Sequence, residues 1–358
     1  MSFLKTLKIN SVRNIEYAEL ELSPKLNLIH GKNGSGKTSI LESVHLLAMG
    51  RSFRTSKTNS LIAEYDSGLA IYGETGANCK IGLSKVNRQK QQLKLDSMLQ
   101  KNWDSVARNL PVQVIDSNSF LLLEGGPKAR RRFLDWGVFH VKQNFVMDWR
   151  STRKCIANRN ALLRAGGFDN DQFRAWDIEL SQSSEKVDLA RAEYFGLFEP
   201  VFKDIYKSLA GENPISISYW RGWPDGEPLR EVLSASRDRD QKYGATQSGP
   251  HRADIHVRYG SHPAIEVLSR GQQKVLVSAL KIAQGVVYSR LIGDECIYLL
   301  DDLPAELDNE NRDKIIAKIF KLECQLFITS IDLDSTKDFA ESIPKTRTFH
   351  VERGKIKA

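Results

Sequence analysis

The chain has 358 residues, of which 41% are hydrophobic and 27% are charged, and these ordinary values predict a packed globular core. Its formal net charge of +8 favours a polyanionic partner. The four cysteines form no CxxC pair, which argues against a zinc site and a disulfide framework. No apolar run approaches the roughly 20 residues that span a bilayer, and Lys5 and Lys8 interrupt any signal-peptide core. We therefore expect a cytoplasmic protein without a membrane partner.

The first predicted elements are short strands that lead into a glycine-rich turn and a helix. Phe3, Leu7 and Ile9 fall on one face of an extended segment. Residues 26–29 form a mostly apolar strand, and the apolar positions within residues 40–48 recur at helical spacing. A strand, a glycine-rich loop and a helix in this order are the context that a phosphate-binding loop requires.

The glycine-rich turn fits the phosphate-loop (P-loop) pattern G-x-x-x-x-G-K-[ST] in full. Its glycines let successive N–H groups face phosphates at a helix N-terminus. The lysine of the motif is expected to contact the β- and γ-phosphates, and the threonine hydroxyl is expected to bind Mg²⁺. The sequence therefore predicts an ATP–Mg²⁺ site formed by Gly31, Lys32, Asn33, Gly34, Ser35, Gly36, Lys37 and Thr38.

The positive charge is concentrated in two basic stretches. Between Lys128 and Arg164, ten basic residues accompany two acidic ones, and between Lys80 and Lys101, six accompany one. Such stretches are typical of a surface that contacts nucleic-acid phosphates. The alternative is that the basic faces of these helices are only solvated.

The middle of the chain predicts an insertion rather than a tethered domain, because it contains no low-complexity linker. Residues from 127 onward read mainly as helix, residues 215–217 and 255–259 read as strands, and a long helix is expected over residues 271–292. We predict one nucleotide-binding lobe, residues 1–126 and 246–358, with an inserted, mainly helical lobe at residues 127–245.

Residues 268–272, Leu-Ser-Arg-Gly-Gln, resemble the ABC signature L-S-G-G-Q with one glycine replaced by arginine. Ser269 and the N–H groups near Gly271 would form an anion site at a helix N-terminus. In ABC proteins this site binds the γ-phosphate held by the opposite subunit, so that ATP joins two copies head to tail. We expect Ser269, Gly271 and Gln272 to complete the ATP site in this way; a plain helix cap at Ser269 is the alternative.

Residues 297–302, Ile-Tyr-Leu-Leu-Asp-Asp, have the apolar strand and terminal acids of a Walker B motif. Asp301 is expected to hold Mg²⁺ through water, and Asp302 to polarise the attacking water. Together with Lys37, these are the candidate catalytic residues.

Three further positions bear on hydrolysis. Residues 305–308, Ala-Glu-Leu-Asp, resemble the D-loop of ABC proteins, and Gln113 is the candidate for their Mg²⁺-sensing Q-loop glutamine, with a surface-facing strand residue as the alternative. Thr329 and Ser330 stand where ABC relatives usually place a histidine, and Asp302 replaces their glutamate. Because a shorter carboxylate lies further from the water, we expect slow hydrolysis.

Four other stretches narrow the class further. They are the turn at Arg13 and Asn14; residues 50–55, Gly-Arg-Ser-Phe-Arg-Thr; residues 126–135, which contain Gly-Pro and Arg-Arg-Arg-Phe-Leu-Asp; and residues 249–254, Gly-Pro-His-Arg-Ala-Asp. In these stretches the chain is similar to the RecF family. The resemblance covers the chain from end to end. It implies an α/β fold of the ABC/SMC-type ATPase head, with a helical second lobe and no coiled coil.

The same resemblance implies a function in DNA repair and recombination. RecF proteins form ATP-dependent homodimers, bind DNA, hydrolyse ATP slowly, and act with RecR and RecO to load a recombinase at gaps. We therefore expect DNA, whether single-stranded, duplex or gapped, and RecR- and RecO-type proteins as partners. The candidate DNA-contacting residues are Arg51, Arg54, Arg130, Arg131, Arg132, Arg150, Arg153 and Lys154.

Some alternatives stay open on the sequence alone. Arg131 and Arg132 would be structural if they paired with Asp135, and we interpret His251 and Arg252 as structural or interface residues. An ABC-type ATPase subunit coupled to another protein or a membrane partner would share the ATP motifs, although a basic helical lobe does not fit one. A P-loop phosphotransferase would need no signature motif and would work as a monomer.

Overall fold

The computed structural model describes residues 3–165, 170–302, 309–331 and 343–357. Contacts divide the chain into two compact units: unit 1 comprises residues 1–119 and 274–358, and unit 2 comprises residues 120–273. The expected D-loop at residues 305–308 lies outside the described residues.

Unit 1 contains an antiparallel sheet of six strands in the order β2-β1-β4-β5-β6-β7. Alternation along the strands decides which face is buried: Leu7 and Ile9 are fully buried, whereas Lys8 between them is partly exposed. The strands are β1 (Leu4–Val12), β2 (Ile15–Glu21), β4 (Gly68–Thr75), β5 (Lys80–Val86), β6 (Gln92–Leu95) and β7 (Met98–Gln100).

A second sheet of unit 1 has the order β15-β14-β3-β13-β12-β8, and all of its pairs are parallel except β14 with β15. Its central strands are almost wholly buried, because elements cover both faces of a parallel sheet. The strands are β3 (Leu26–His30), β8 (Val112–Ile115), β12 (Ile297–Leu300), β13 (Leu326–Ser330), β14 (Thr346–Glu352) and β15 (Lys355–Lys357).

Helix α1 (Lys37–Met49) contributes to the same hydrophobic core as both sheets. Ile40, Leu41 and Val44 are fully buried in a cluster that includes Leu7 of β1 and Phe327 of β13. Unit 1 also contains α2 (Asp104–Asn109), α11 (Asn309–Phe320) and most of α10 (Arg270–Ile292). Among the described helices, α10 has the length and apolar composition of a membrane span, but 67% of that apolar window is buried in the protein, as in a core helix.

Unit 2 combines helices with a small sheet, β11-β10-β9. Its elements are α3 (Leu121–Glu124), α4 (Pro127–Val141), α5 (Phe145–Ala165), α6 (Asn170–Ala210), β9 (Ile215–Trp220), α7 (Leu229–Ala235), α8 (Arg237–Tyr243), β10 (Asp254–Tyr259), β11 (His262–Pro263) and α9 (Ala264–Val267). The sequence placed the end of the inserted lobe at residue 245. The contacts instead group residues 246–273 with unit 2, because β10 pairs with β9 along its whole length.

A buried arginine joins three helices of unit 2. Arg159 of α5 has no exposed surface, and its Nε donates to Asp177 of α6 at 2.7 Å. Its Nη1 donates to Asp240 of α8 at 2.7 Å and to the Thr246 hydroxyl at 3.0 Å. Burying a guanidinium is tolerated only when carboxylates and other acceptors replace its water, so this cluster fixes the packing of the helices.

Replacing this arginine by leucine (Arg159→Leu) should strongly destabilise the fold, because Asp177 and Asp240 would stay buried without a cation. We expect the free energy of unfolding to fall by about 3–5 kcal/mol, measured by chemical denaturation. Lys154→Leu, at an exposed position of the same helix, is the control and should change stability by about 0.5 kcal/mol or less. Equal losses in the two variants would contradict this account.

His251 is a partly buried imidazole in unit 2. Its Nε2 donates to the carbonyl oxygen of Thr246 at 2.9 Å, and among the described residues its buried Nδ1 has no hydrogen-bond partner. A second ring proton would therefore be buried without an acceptor. Burial lowers the pKa of His251 from 6.5 to about 4, as expected when desolvation penalises the charged form.

This lowered pKa should make stability depend on pH. Between pH 6.5 and 4 the unfolded chain binds a proton that the folded chain does not, so unfolding becomes easier as the pH falls. From pH 7.5 to pH 5 we expect wild type to lose about 2 kcal/mol more than His251→Gln, whose amide can keep the bond to Thr246. Denaturant titrations at the two pH values measure this difference. Parallel losses in both proteins would exclude His251 as the source.

Candidate nucleotide-binding site

The P-loop connects the carboxyl end of β3 to α1, which begins at Lys37. Gly31, Gly34 and Gly36 have φ values of 152°, 76° and 120°, a region that side chains disfavour. Space is also limiting, since a Cβ on Gly31 would lie 2.2 Å from the carbonyl oxygen of Val351. The glycines therefore let the loop curl tightly against β14.

Two charged groups of the predicted site meet at this loop. Lys37 is 4% exposed, and its Nζ donates to the carbonyl oxygens of Gly31 at 2.7 Å and Lys32 at 3.2 Å. The hydroxyl of Thr38 donates to Oδ1 of Asp301 at 2.9 Å. The structure thus brings the P-loop and the Walker B strand, which are distant in sequence, into direct contact.

Asp301 is held by two hydroxyl groups. Besides Thr38, the hydroxyl of Thr329 donates to Asp301 Oδ1 at 2.9 Å, and the N–H of Asp302 donates to the Thr329 oxygen at 2.8 Å. Burial raises the pKa of Asp301 to about 6, and the two hydroxyl bonds oppose this rise. Thr329 occupies a position at which ABC relatives usually have a histidine. In this protein the Thr329 hydroxyl orients the Walker B carboxylate of Asp301.

Asp302 has an unusual backbone for a residue with a side chain. Its φ is 50°, a left-handed conformation that non-glycine residues adopt rarely and often at functional sites. Its Oδ1 is buried and accepts no hydrogen bond from the residues that the structure describes.

Asn14 fastens the P-loop from the β1–β2 turn. Its Nδ2 donates to the carbonyl oxygens of Gly34 at 3.2 Å and Ser35 at 2.9 Å, and its Oδ1 accepts from the Ser39 hydroxyl at 3.2 Å. The N–H of Gly354 also donates to the carbonyl oxygen of Ser35, at 2.8 Å. These bonds engage carbonyl oxygens of the P-loop. They favour a curled conformation in which the N–H groups of the P-loop face the space that the loop encloses. From the sequence, Asn14 was expected only to form part of a turn.

Residues 50–55 are anchored to the P-loop helix. The fully buried Glu42 accepts two hydrogen bonds from Arg13, at 2.9 and 3.0 Å, and one from the hydroxyl of Ser52. Nδ1 of His45 donates to the carbonyl oxygen of Arg51 at 2.7 Å. Burial lowers the pKa of His45 to about 4, so the ring is neutral. Arg51 and Arg54 thus lie on a fixed loop with exposed side chains.

The signature residues lie at the exposed N-terminus of α10, in unit 2. The Ser269 hydroxyl accepts from the Gln272 N–H at 3.3 Å, and the Ser269 N–H donates to Gln272 Oε1 at 2.9 Å. This reciprocal pattern is a capping box, which confirms the helix-cap interpretation of Ser269. A Cβ at Gly271 would meet no atom within 4 Å, so the surface beside the cap is open. Binding of a second copy's phosphate there stays a prediction.

The structure does not bring Gln113 to this site, which corrects its assignment as a Q-loop residue. Gln113 lies inside β8, is 2% exposed, and its Nε2 donates to Gln284 Oε1 of α10 at 3.1 Å. It therefore holds the strand against the helix. The residue that follows the end of β8, beside the Walker B carboxylates, is Asp116.

The arginines of residues 130–132 divide into structural and exposed groups. Arg130 forms a bidentate ion pair with Asp254, at 2.7 and 2.9 Å, and the partly buried Arg131 donates to the carbonyl oxygen of Ala253 at 2.7 Å. Arg130 is therefore already engaged by a carboxylate inside unit 2, and its expected contact with DNA stays a prediction. Arg132 is exposed.

Asp135 pairs with neither Arg131 nor Arg132. It accepts two bonds from the buried Arg191, at 2.8 and 3.0 Å, and Arg191 also donates to the carbonyl oxygen of Pro250 at 2.8 Å. Two of the RecF-like stretches, residues 126–135 and 249–254, are thus held together inside unit 2. Arg150, Arg153 and Lys154 are exposed on one face of α5.

Within the described residues, no group of three or more His, Cys, Asp or Glu side chains is arranged to hold a metal ion. The Thr38 hydroxyl and the Asp301 carboxylate instead offer oxygen ligands for only part of a metal ion's coordination shell. Mg²⁺ commonly accepts such a set, since it keeps several waters and takes further oxygens from phosphates.

Comparisons with known proteins agree with this geometry. The family model described as "RecF/RecN/SMC N terminal domain" matches residues 3–356. The chain is 40% identical over 357 residues to the "DNA replication and repair protein RecF" of Pseudomonas paraeruginosa (strain DSM 24068 / PA7), covering 99% of this chain and 97% of that protein. It is 41% identical over the same length to the RecF of Pseudomonas putida (strain GB-1), with the same coverage.

Solved structures give the same result. One described as "the recombination mediator protein RecF-ATP in RecFOR pathway" is similar with a TM-score of 0.88 and 25% identity, covering 99% of this chain and 97% of that chain. The Smc head domain of Pyrococcus furiosus shares the fold, with a TM-score of 0.60 and 13% identity over 100% and 96% of the two chains. The predicted ABC/SMC-type α/β fold is confirmed, and the chain belongs to the RecF family of DNA replication and repair proteins.

Proposed function

We propose that this protein is an ATP-controlled DNA-binding switch, in which ATP joins two copies on DNA and slow hydrolysis separates them. The observation that carries the proposal is the 2.9 Å bond between Thr38 and Asp301 beneath the curled P-loop. The bond supports the proposal because a hydroxyl beside a partly buried carboxylate is the pair that would hold Mg²⁺ in phosphoryl-transfer sites of this class.

The residues present fit ATP and Mg²⁺. The glycine curl and the buried ammonium of Lys37 suit a polyphosphate, and a relative with 25% identity is described as bound to ATP. Thr38 and Asp301 would hold Mg²⁺, directly and through water, and the ion would offset charge on the γ-phosphate. Asp302 would orient the attacking water. Its short side chain and strained backbone support slow turnover.

The signature end of α10 supports the dimer. Ser269, Gly271 and Gln272 present a capped, exposed helix N-terminus with open space beside it, which suits the γ-phosphate held by a second copy. Mediators of the RecR and RecO type would be its partners, since the RecF of the solved structure is placed in the RecFOR pathway. Assistance in loading a recombinase at DNA gaps completes the proposal.

Exposed basic residues support DNA binding. Arg132, Arg150, Arg153 and Lys154 of unit 2 and Arg51 and Arg54 of unit 1 keep their charged groups at the surface. Such groups contact phosphates without base preference and release counterions on binding. Arg131 is the weakest remaining candidate, because burial and the nearby Arg191 lower its pKa and it is bonded within the unit.

The dimer is tested by Ser269→Arg, which fills the open surface beside the helix cap with a bulky side chain. We expect wild type to double its mass with ATP in light scattering, and the variant to bind ATP but stay monomeric. Ser261→Arg, in an exposed turn of the same unit, is the matched control and should dimerise. A variant that dimerises like wild type would refute the sandwich. A wild-type monomer that rapidly phosphorylates a small substrate would refute the switch altogether.

The DNA surface is tested by reversing three charges on α5, in Arg150→Glu/Arg153→Glu/Lys154→Glu. For duplex DNA, each lost phosphate contact should lower the slope of log affinity against log salt concentration by about 0.9. The affinity of the variant for DNA near 0.1 M salt should fall at least about tenfold. Fluorescence anisotropy across a salt series measures both. Lys314→Glu/Lys318→Glu/Lys321→Glu, in and directly after α11, is the control of equal charge. Identical losses in the two triple variants would show only a net-charge effect.

A further inference from the structure

The antiparallel sheet of unit 1 has a buried face and an outer face. Leu7, Ile9 and Leu83 point into the core, whereas the alternate positions of the same strands are at least partly exposed. The strand registers place these outer side chains in rows that cross β2, β1, β4, β5 and β6. One such row contains Glu19, Lys8, Tyr72, Gly82 and Lys94.

A trough lies in the middle of this outer face, because the side chains there are small. Ala70, Gly82 and Ser84 line a cavity of about 380 Å³, a size within the range of ligand pockets. Glycine is uncommon inside strands, and where it does not mark a bulge it often marks the close approach of a ligand. The ladder passes through Gly82 without a register shift, and the nearest contact of a Cβ there would be Lys94 Cβ at 3.9 Å.

Two tyrosines line the same trough. Tyr17 of β2 is 63% exposed, and its hydroxyl donates to Oε2 of Glu19 at 3.0 Å. Glu19 in turn pairs with Lys8 at 2.8 Å, so the exposed ring is held at its hydroxyl end. Tyr72 of β4 lies directly opposite Gly82 and is partly exposed. Accessible aromatic rings beside an open trough suit flat ring systems, which can stack on them.

Positive charge lies beside the trough. Lys94 lines it, and the turn between β5 and β6 carries Arg88 and Lys90, all with exposed side chains. None of these three cations forms an ion pair within the part of the chain that the structure describes. The acidic residues Glu21 and Glu74 lie in the row of the sheet that is further from this turn. The second basic stretch of the sequence therefore supplies charges that a polyanion can reach from the trough.

We propose that this outer face binds the unpaired bases of single-stranded DNA, with Tyr17 and Tyr72 as stacking partners and the β5–β6 turn in contact with the phosphates. The inference rests on the proposed DNA-binding function and names the form of DNA that this surface takes. Aromatic rings combined with basic residues along the backbone are the means by which proteins bind single strands without sequence preference. A duplex keeps its bases paired and stacked, so it offers the trough no free ring.

The test compares two forms of DNA by fluorescence anisotropy, an oligothymidylate and a duplex of equal length. Tyr17→Ala should lower the affinity for the oligothymidylate about fivefold or more, because a stacking partner is lost, and should change the affinity for the duplex less than about twofold. Tyr17→Phe keeps the ring and should bind like wild type. Tyr65→Ala, at a position of unit 1 that is 94% exposed and outside this sheet, is the matched control and should also bind like wild type.

A second variant fills the trough without removing an aromatic ring. Gly82→Val adds a side chain that suits a strand and enters the open space above the backbone, so thermal stability should not fall. Its affinity for the oligothymidylate should nevertheless fall as in Tyr17→Ala. An oligonucleotide with abasic sites throughout should bind wild type and Tyr17→Ala equally, because it has no bases to stack.

The outcomes separate the inference from the function on which it rests. Equal losses of affinity for the two forms of DNA in Tyr17→Ala would show only a general effect on the protein and would overturn the inference. Unchanged binding of the oligothymidylate by both Tyr17→Ala and Gly82→Val would overturn it as well and would leave the outer face to a protein partner. If wild type bound neither form of DNA, the proposed DNA-binding function itself would fail.

Discussion

The hydrogen bond between Thr38 and Asp301 joins two segments that the sequence separates by most of its length. It is possible only because β3, β13 and β12 are adjacent parallel strands that end at one edge of a sheet. Every proposed step at the nucleotide depends on this edge. The P-loop supplies a phosphate cradle, and Thr329 of the middle strand orients Asp301 of the Walker B strand. One geometric constraint, parallel strand order, thus assembles three segments of chain.

The local motifs could be predicted because each is a short piece of secondary structure with its own physical logic. The glycines of the P-loop need left-handed φ values, and they have them. Ser269 and Gln272 form a capping box within four residues, which is a local pattern as well. The strand, glycine loop and helix predicted a phosphate-binding unit, and the ABC/SMC-type fold class followed from the resemblance to known families.

Residues whose partners are remote in sequence could not be assigned. Arg130 looked like part of a basic surface, but its carboxylate partner, Asp254, lies on another segment of unit 2. Gln113 looked like a metal sensor, yet its side chain points to Gln284. Asn14 could be assigned only to a family-like turn, because its function is to bind loop carbonyls that only the fold brings near. Charge and residue type predict chemistry, whereas burial decides whether that chemistry is available.

The pairing of residues 126–135 with 249–254 explains why two separate stretches resemble one family. Asp254 neutralises Arg130, and Arg191 links Asp135 to the Pro250 carbonyl. Residues 249–254 thus supply acceptors to Arg130 and Arg191, and residues 126–135 supply the Asp135 carboxylate to Arg191. A change in either stretch would leave one of these charges without its partner. These internal contacts account for Arg130 and Asp135 within the fold. The proposed DNA surface therefore rests first on the basic residues of α5 whose side chains are exposed.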